Sequence, residues 1–183
     1  MPLTPPVGRK PMHTRTVTCR GYLREDGAWD IEGHLVDTKP YDIPGEDRGG
    51  TIAAGAHLHD MWIRLTVDTD LNVLDAQAVI DNGPYGICGD IAPAFSRLKG
   101  LSIRSGWSRR TRELLGGTRG CTHLLELLGP MATTAFQTVY AARVELDQAR
   151  GATQRPGLIN GCHAYADDGP IVLRRWPQFS KRA

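Results

Sequence analysis

From residue 14 onward, apolar and polar positions alternate. Val17, Cys19, Gly21 and Leu23 share one side of an extended chain, the period of two that marks a half-buried strand. "REDGAW" then supplies Asp26-Gly27, a hairpin turn in which glycine provides the positive φ. Trp29, Ile31 and Leu35 alternate back as a second strand. Residues 38–56, "TKPYDIPGEDRGGTIAAGA", are rich in Gly and Pro and read as one long loop, a feature that is often functional inside a domain. "HLHDMWIRLTVD" predicts a third strand, with Met61, Ile63, Leu65 and Val67 on one face. "DTDLN" turns the chain, and "VLDAQAVID" predicts a fourth strand.

Beyond "NGPYG" the period lengthens. Ile91, Phe95 and Leu98 are spaced for a short helix ended by Gly100, and "GWSRRTRELLGG" for another closed by two glycines. From Cys121, the residues Leu124, Leu128, Met131, Ala135, Val139 and Ala142 form one helical stripe. Pro130 lacks an amide hydrogen, so the stripe is expected to kink there or restart as a second helix. "IVLRRW" reads as a last strand. Strands first and helices second define an α+β fold: an antiparallel sheet, made of a hairpin and paired strands, covered on one face by helices. Residues 1–13 hold four prolines and no periodicity, and read as a flexible N-terminus. Residues 14–150 form the domain, and 151–183 an extension expected to pack on it.

The chain has 183 residues and a net charge of +2, so composition makes no case for nucleic acid or an anionic membrane as partner. No apolar run approaches the ~18 residues of a membrane span. The basic N-terminus is followed by no apolar segment, which is unlike a secretory signal. A cytoplasmic location is expected. There Cys19, Cys88, Cys121 and Cys162 would be free thiols or ligands.

Metal-capable side chains gather at three element boundaries. His57 and His59 open the third strand, on the same side if the strand has begun. Cys88 ends a strand-to-helix turn. Cys121 and His123 follow Gly116, Gly117 and Gly120 at a helix start; two residues apart on a helix they share no face, so Cys121 must lie in the preceding turn. His57 or His59 with Cys88, Cys121 and His123 would form a mixed sulfur–nitrogen site. Zinc is the expected ion, and iron or an Fe–S cluster the alternative. Asp60 would orient a histidine or act as a general base, and in an enzyme either His59 or Asp60 would be the acid–base group. Asp37 and Lys39 read as solvated charges at the strand end. Arg109, Arg110, Arg112 and Arg119 read as a solvated helix face, Trp62 and Trp107 as core or pocket wall, and Cys162-His163 as a loop pair. There is no Walker loop, GxGxxG, HExxH or GxSxG.

The order "HLHD", Cys88, "RLKG" and "GCTHLLELL" resembles the IscU/SufU/NifU group of iron–sulfur scaffold proteins over about residues 57–145. Asp60, Cys88 and Cys121 fall where that group has its aspartate, middle cysteine and last cysteine. A histidine stands where its first cysteine would be, and residues 14–37 are an added hairpin. The resemblance implies a metal-binding protein in iron–sulfur, sulfur or metal transfer, with a sulfur- or metal-transfer protein as partner. Over nearly the whole chain, "HDMW", "GCTHL" and "CHAY" resemble an uncharacterised bacterial family, a domain of unknown function. The alternative is a metal- or thiol-dependent enzyme on a small aromatic or carbonyl substrate. Tyr41 and Trp62 would then be pocket walls under the long loop.

Overall fold

The computed structural model describes residues 3–149 and 155–182. The chain divides into two compact units, Met1–Arg143 and Val144–Ala183. The first is built on a four-stranded antiparallel sheet. Thr14–Leu23 (β1) and Trp29–Thr38 (β2) form the expected hairpin, with Gly27 at φ 82° in its turn. The loop that follows contains a small hairpin of its own, Ile43–Gly45 (β3) and Gly50–Ile52 (β4), which the Gly/Pro-rich composition concealed. His57–Val67 (β5) and Val73–Asn82 (β6) complete the main sheet in the order β1-β2-β5-β6.

One face of that sheet is the core. Ile31 and Leu35 on β2 are buried together with Met61, Ile63, Leu65 and Val67 on β5. Against them lies a 28-residue helix, Thr122–Ala149 (α2), through Leu124, Leu127, Leu128, Met131, Ala135 and Val139. It lies so close that a Cβ on Gly21 would overlap Thr138, and one on Gly33 would overlap Met131. Two glycines in the strands thus seat the helix on the sheet. Trp107–Leu115 (α1) packs beside it, and the Trp107 indole donates to the Leu128 carbonyl at 2.9 Å.

Two expectations are corrected and a third is refined. Of the kink or restart expected at Pro130, the restart does not occur: α2 is continuous from Thr122 to Ala149, with buried residues on both sides of the proline. The short helix expected around Ile91, Phe95 and Leu98 is present as Gly86–Leu98, in the 3-10 form; Pro93 and the glycines at 86 and 89 weaken α-helical bonding, while Phe95 and Leu98 reach the core. "IVLRRW" is no strand but part of a helix, Pro170–Arg175 (α3), started by a proline at its first position. That helix belongs to the second unit. There Asp167 accepts from Asn160 at 2.9 Å and pairs with Arg155 at 3.1 Å and Lys181 at 3.2 Å. Among the described residues, no helix is long and apolar enough to cross a membrane.

Candidate functional site

Asp37 continues the buried face of β2 by the strict alternation Ile31, Gly33, Leu35, Asp37, and its side chain is 1% exposed. The reading of Asp37 as a solvated strand-end charge is therefore corrected: it faces the core. Opposite it on β5 stands His59, also buried. The two strands have an irregular register between Asp37 and Thr38, and such a bulge re-aims side chains. His57 and His59 consequently part: His59 turns inward, whereas His57 is half exposed and bonds Asp60 at 2.7 Å.

Both oxygens of Asp37 are engaged. His13 Nε2 lies 3.1 Å and Arg15 Nε 2.8 Å from Oδ1; His59 Nδ1 lies 2.9 Å and an Arg15 terminal nitrogen 2.7 Å from Oδ2. Arg15 also reaches Glu126 on α2. Burial pushes the Asp37 carboxyl up, but Arg15 and His59 outweigh it and hold it down at about 2. An ionised carboxylate only accepts hydrogen bonds, so His59 Nδ1 carries the proton and Nε2 presents its lone pair. Burial lowers the pKa of His59, against the pull of Asp37. His123 is lowered too, first by burial and then by His59 and Arg15. Both imidazoles are thereby kept neutral, the form that binds metals.

The His123 ring lies 3.9 Å from that of His59, tilted by 33°. Ligand atoms of Asp37, His59 and His123 all lie within 4.8 Å of one another, a group of three metal-capable side chains on β2, β5 and α2. Cys121 stands just before α2, its carbonyl accepting the Leu125 amide and its sulfur 3.9 Å from His123 Nδ1. The glycine-rich turn predicts this placement of a turn-borne cysteine and a first-turn histidine.

The other expected site residues lie elsewhere. Cys88 sits in the 3-10 segment against Gly83, whose own Cβ would crowd it at 2.7 Å. Asp60 points to the opposite face of the sheet, between His57 and His34, each at 2.7 Å; His34 in turn stacks on Trp62, ring centroids 3.6 Å apart. Cys162 and His163 lie in the second unit. Asp37, Arg15, His13 and Glu126 were missed. For the first two the signal was phase: Arg15 alternates with Val17 and Cys19 just as Asp37 does with Leu35.

The α+β domain thus holds a buried carboxylate–histidine pair and a second, partly buried histidine between sheet and helix, a group of side chains that could hold a metal ion. The family described as protein of unknown function DUF2889 matches residues 13–137, and the chain belongs to that family. The matched span holds every residue of this cluster and ends before the second unit. No curated protein and no solved structure matches the chain.

Proposed function

We propose that this protein binds one transition-metal ion, zinc first among them, between β5 and the start of α2. The observation that carries the proposal is the packing of His59 against His123, ring centroids 3.9 Å apart, inside a group whose ligand atoms lie within 4.8 Å of one another. Zinc bonds nitrogen and oxygen at ~2.1 Å, so donors on one ion lie at most ~4 Å apart; a small closing movement suffices. His59 and His123 are the nitrogen donors, and Cys121 is the sulfur within reach. Asp37 has its oxygens filled by Arg15, His13 and His59, which suits it to orient His59 rather than to bind the ion itself. One neighbouring thiol favours a single ion over an Fe–S cluster, which is built mainly on thiolates. An ion held with an open position would polarise a carbonyl or activate water; a loosely held one would be cargo for a metal- or sulfur-transfer partner.

Calorimetric titration of zinc into chelator-treated protein tests this. One equivalent should bind, with binding lost in His59→Ala and His123→Ala and weakened about 10–100-fold in Asp37→Asn. No binding in the wild type, or binding indifferent to both histidines, contradicts the proposal.

A second reading rests on the 3.9 Å from Cys121 sulfur to His123 Nδ1. Neutral His123 would take the thiol proton as the sulfur attacks a small carbonyl substrate. Alkylation of metal-free protein by iodoacetamide separates the two readings. Activation predicts that His123→Ala slows modification of Cys121 several-fold; an unchanged rate removes it.

A further inference from the structure

We propose that the free edge of β6 takes an extended, basic peptide as an added strand. In the order β1-β2-β5-β6, β6 is an edge. Its first residue is covered: Val73 N–H donates to the Leu101 carbonyl and Gly100 N–H to the Val73 carbonyl, both at 2.8 Å. Past that point the cover ends. Among the described residues, the outward backbone groups from residue 75 to 82 have no backbone partner outside the sheet. Proteins usually blunt such an edge with lysine, proline or a covering loop. Here a groove of about 560 Å³ runs along it instead, lined by Ala76, Ala78 and Ile80 on one side and Gly89, Ala92 and Pro93 on the other. Small side chains leave the backbone within reach. Val79 of the groove lining is half exposed, and Leu74 on the same strand and Tyr85 and Ile87 just after it are exposed as well, Ile87 at 73%. Unpaired strand groups beside apolar contacts are what strand addition uses: the ladder gives affinity, and alternate side chains give specificity.

Charge identifies the occupant. Residues 65–96 carry five aspartates and no lysine, arginine or glutamate, in a chain whose net charge is +2. Asp75 and Asp81 stand on β6 itself, and Asp90 in the facing segment. A strand that alternates apolar side chains with lysine or arginine matches both the groove and these aspartates.

The test is fluorescence anisotropy of a labelled ten-residue peptide alternating valine and lysine, titrated with the full chain. Binding is expected at low salt and should weaken about tenfold at high salt, since the matching charges are exposed. Gly89→Phe should fill the groove and weaken binding at least about tenfold; a Cβ at Gly89 meets nothing within 4 Å, so the melting temperature should hold. Asp75→Asn with Asp81→Asn should weaken binding without filling anything. The same peptide N-methylated at alternate residues should not bind, because it cannot complete a ladder. No binding at ~1 mM, or binding insensitive to both N-methylation and the aspartates, overturns the proposal. Self-association of the chain that Gly89→Phe abolishes would make a second copy the occupant and overturn it as well.

Discussion

Asp37 is a buried charge that the fold has fully partnered. Its oxygens receive hydrogen bonds from two histidines and from both ends of one guanidinium. Removing that guanidinium leaves an ionised carboxylate in the core, which is costlier than losing a surface pair. Arg15→Ala should therefore destabilise the protein by about 1–3 kcal/mol in urea unfolding, less than for a fully buried pair because Arg15 is partly exposed and Asp37 keeps its two histidines. A loss within ~0.5 kcal/mol would mean the pair is worth no more than an exposed one. Acid should act through the same residues. The folded pKa of Asp37, about 2, lies below the ~3.9 of an unfolded aspartate. Its contribution is complete above ~4 and is lost as the pH falls toward 2. His59 and His123 also have lowered values. The unfolded chain takes up their protons first, so stability should already decline as the pH drops below ~6.5. Denaturation midpoints at pH 7.5, 5.5 and 3.5 should fall in that order, and Asp37→Asn should flatten the last step. The inward placement of Asp37 and Arg15 was open to suspicion from the sequence, because both keep the phase of their strands' apolar residues. Charge at a strand end is usually solvated, and that prior hid them.

At the scale of elements, α2 and the β1–β2 hairpin are fitted to each other through absent side chains. Gly33→Ala would force Met131 aside and should cost about 1–3 kcal/mol, as overpacking of a core does. Combining it with Met131→Ala should cost less than the sum of the two, because the smaller side chain clears the clash. Strict additivity in a double-mutant cycle would deny the contact. The four strands of the main sheet, the hairpin turn, both helix starts and the Cys121–His123 turn were legible in the sequence, because each carries a period or a glycine with a mechanical reason. What was not legible depended on partners distant in the chain. The bulge that separates His57 from His59 is a property of pairing with β2. The unbroken passage of α2 through Pro130 reflects burial on both sides, which outweighs one lost hydrogen bond. Helical α3 was misread because a short apolar run does not distinguish strand from helix.

For the whole molecule, the sheet presents two histidine–aspartate clusters on opposite faces. One, Asp37–His59–His123, has its strand residues buried and His123 of α2 partly so; the other, His34–Asp60–His57, is partly exposed beside Trp62. Cys88 belongs to neither, so of the three boundaries the sequence singles out, two meet, at His59 and at Cys121–His123, and Asp37 of β2 joins them. The family match covers both clusters and leaves the second unit outside. The central claim is that a metal ion binds at the buried cluster, and the two clusters make it testable in one spectrum. Long-range proton–nitrogen correlation of the six imidazoles, recorded while zinc is added, reports each ring nitrogen separately. In the metal-free protein His59 should carry its proton on Nδ1, against Asp37. At one equivalent of zinc, His59 Nε2 and one nitrogen of His123 should shift together while His34 and His57 stay in place. Shifts at His34 and His57 with His59 and His123 unmoved would contradict the claim.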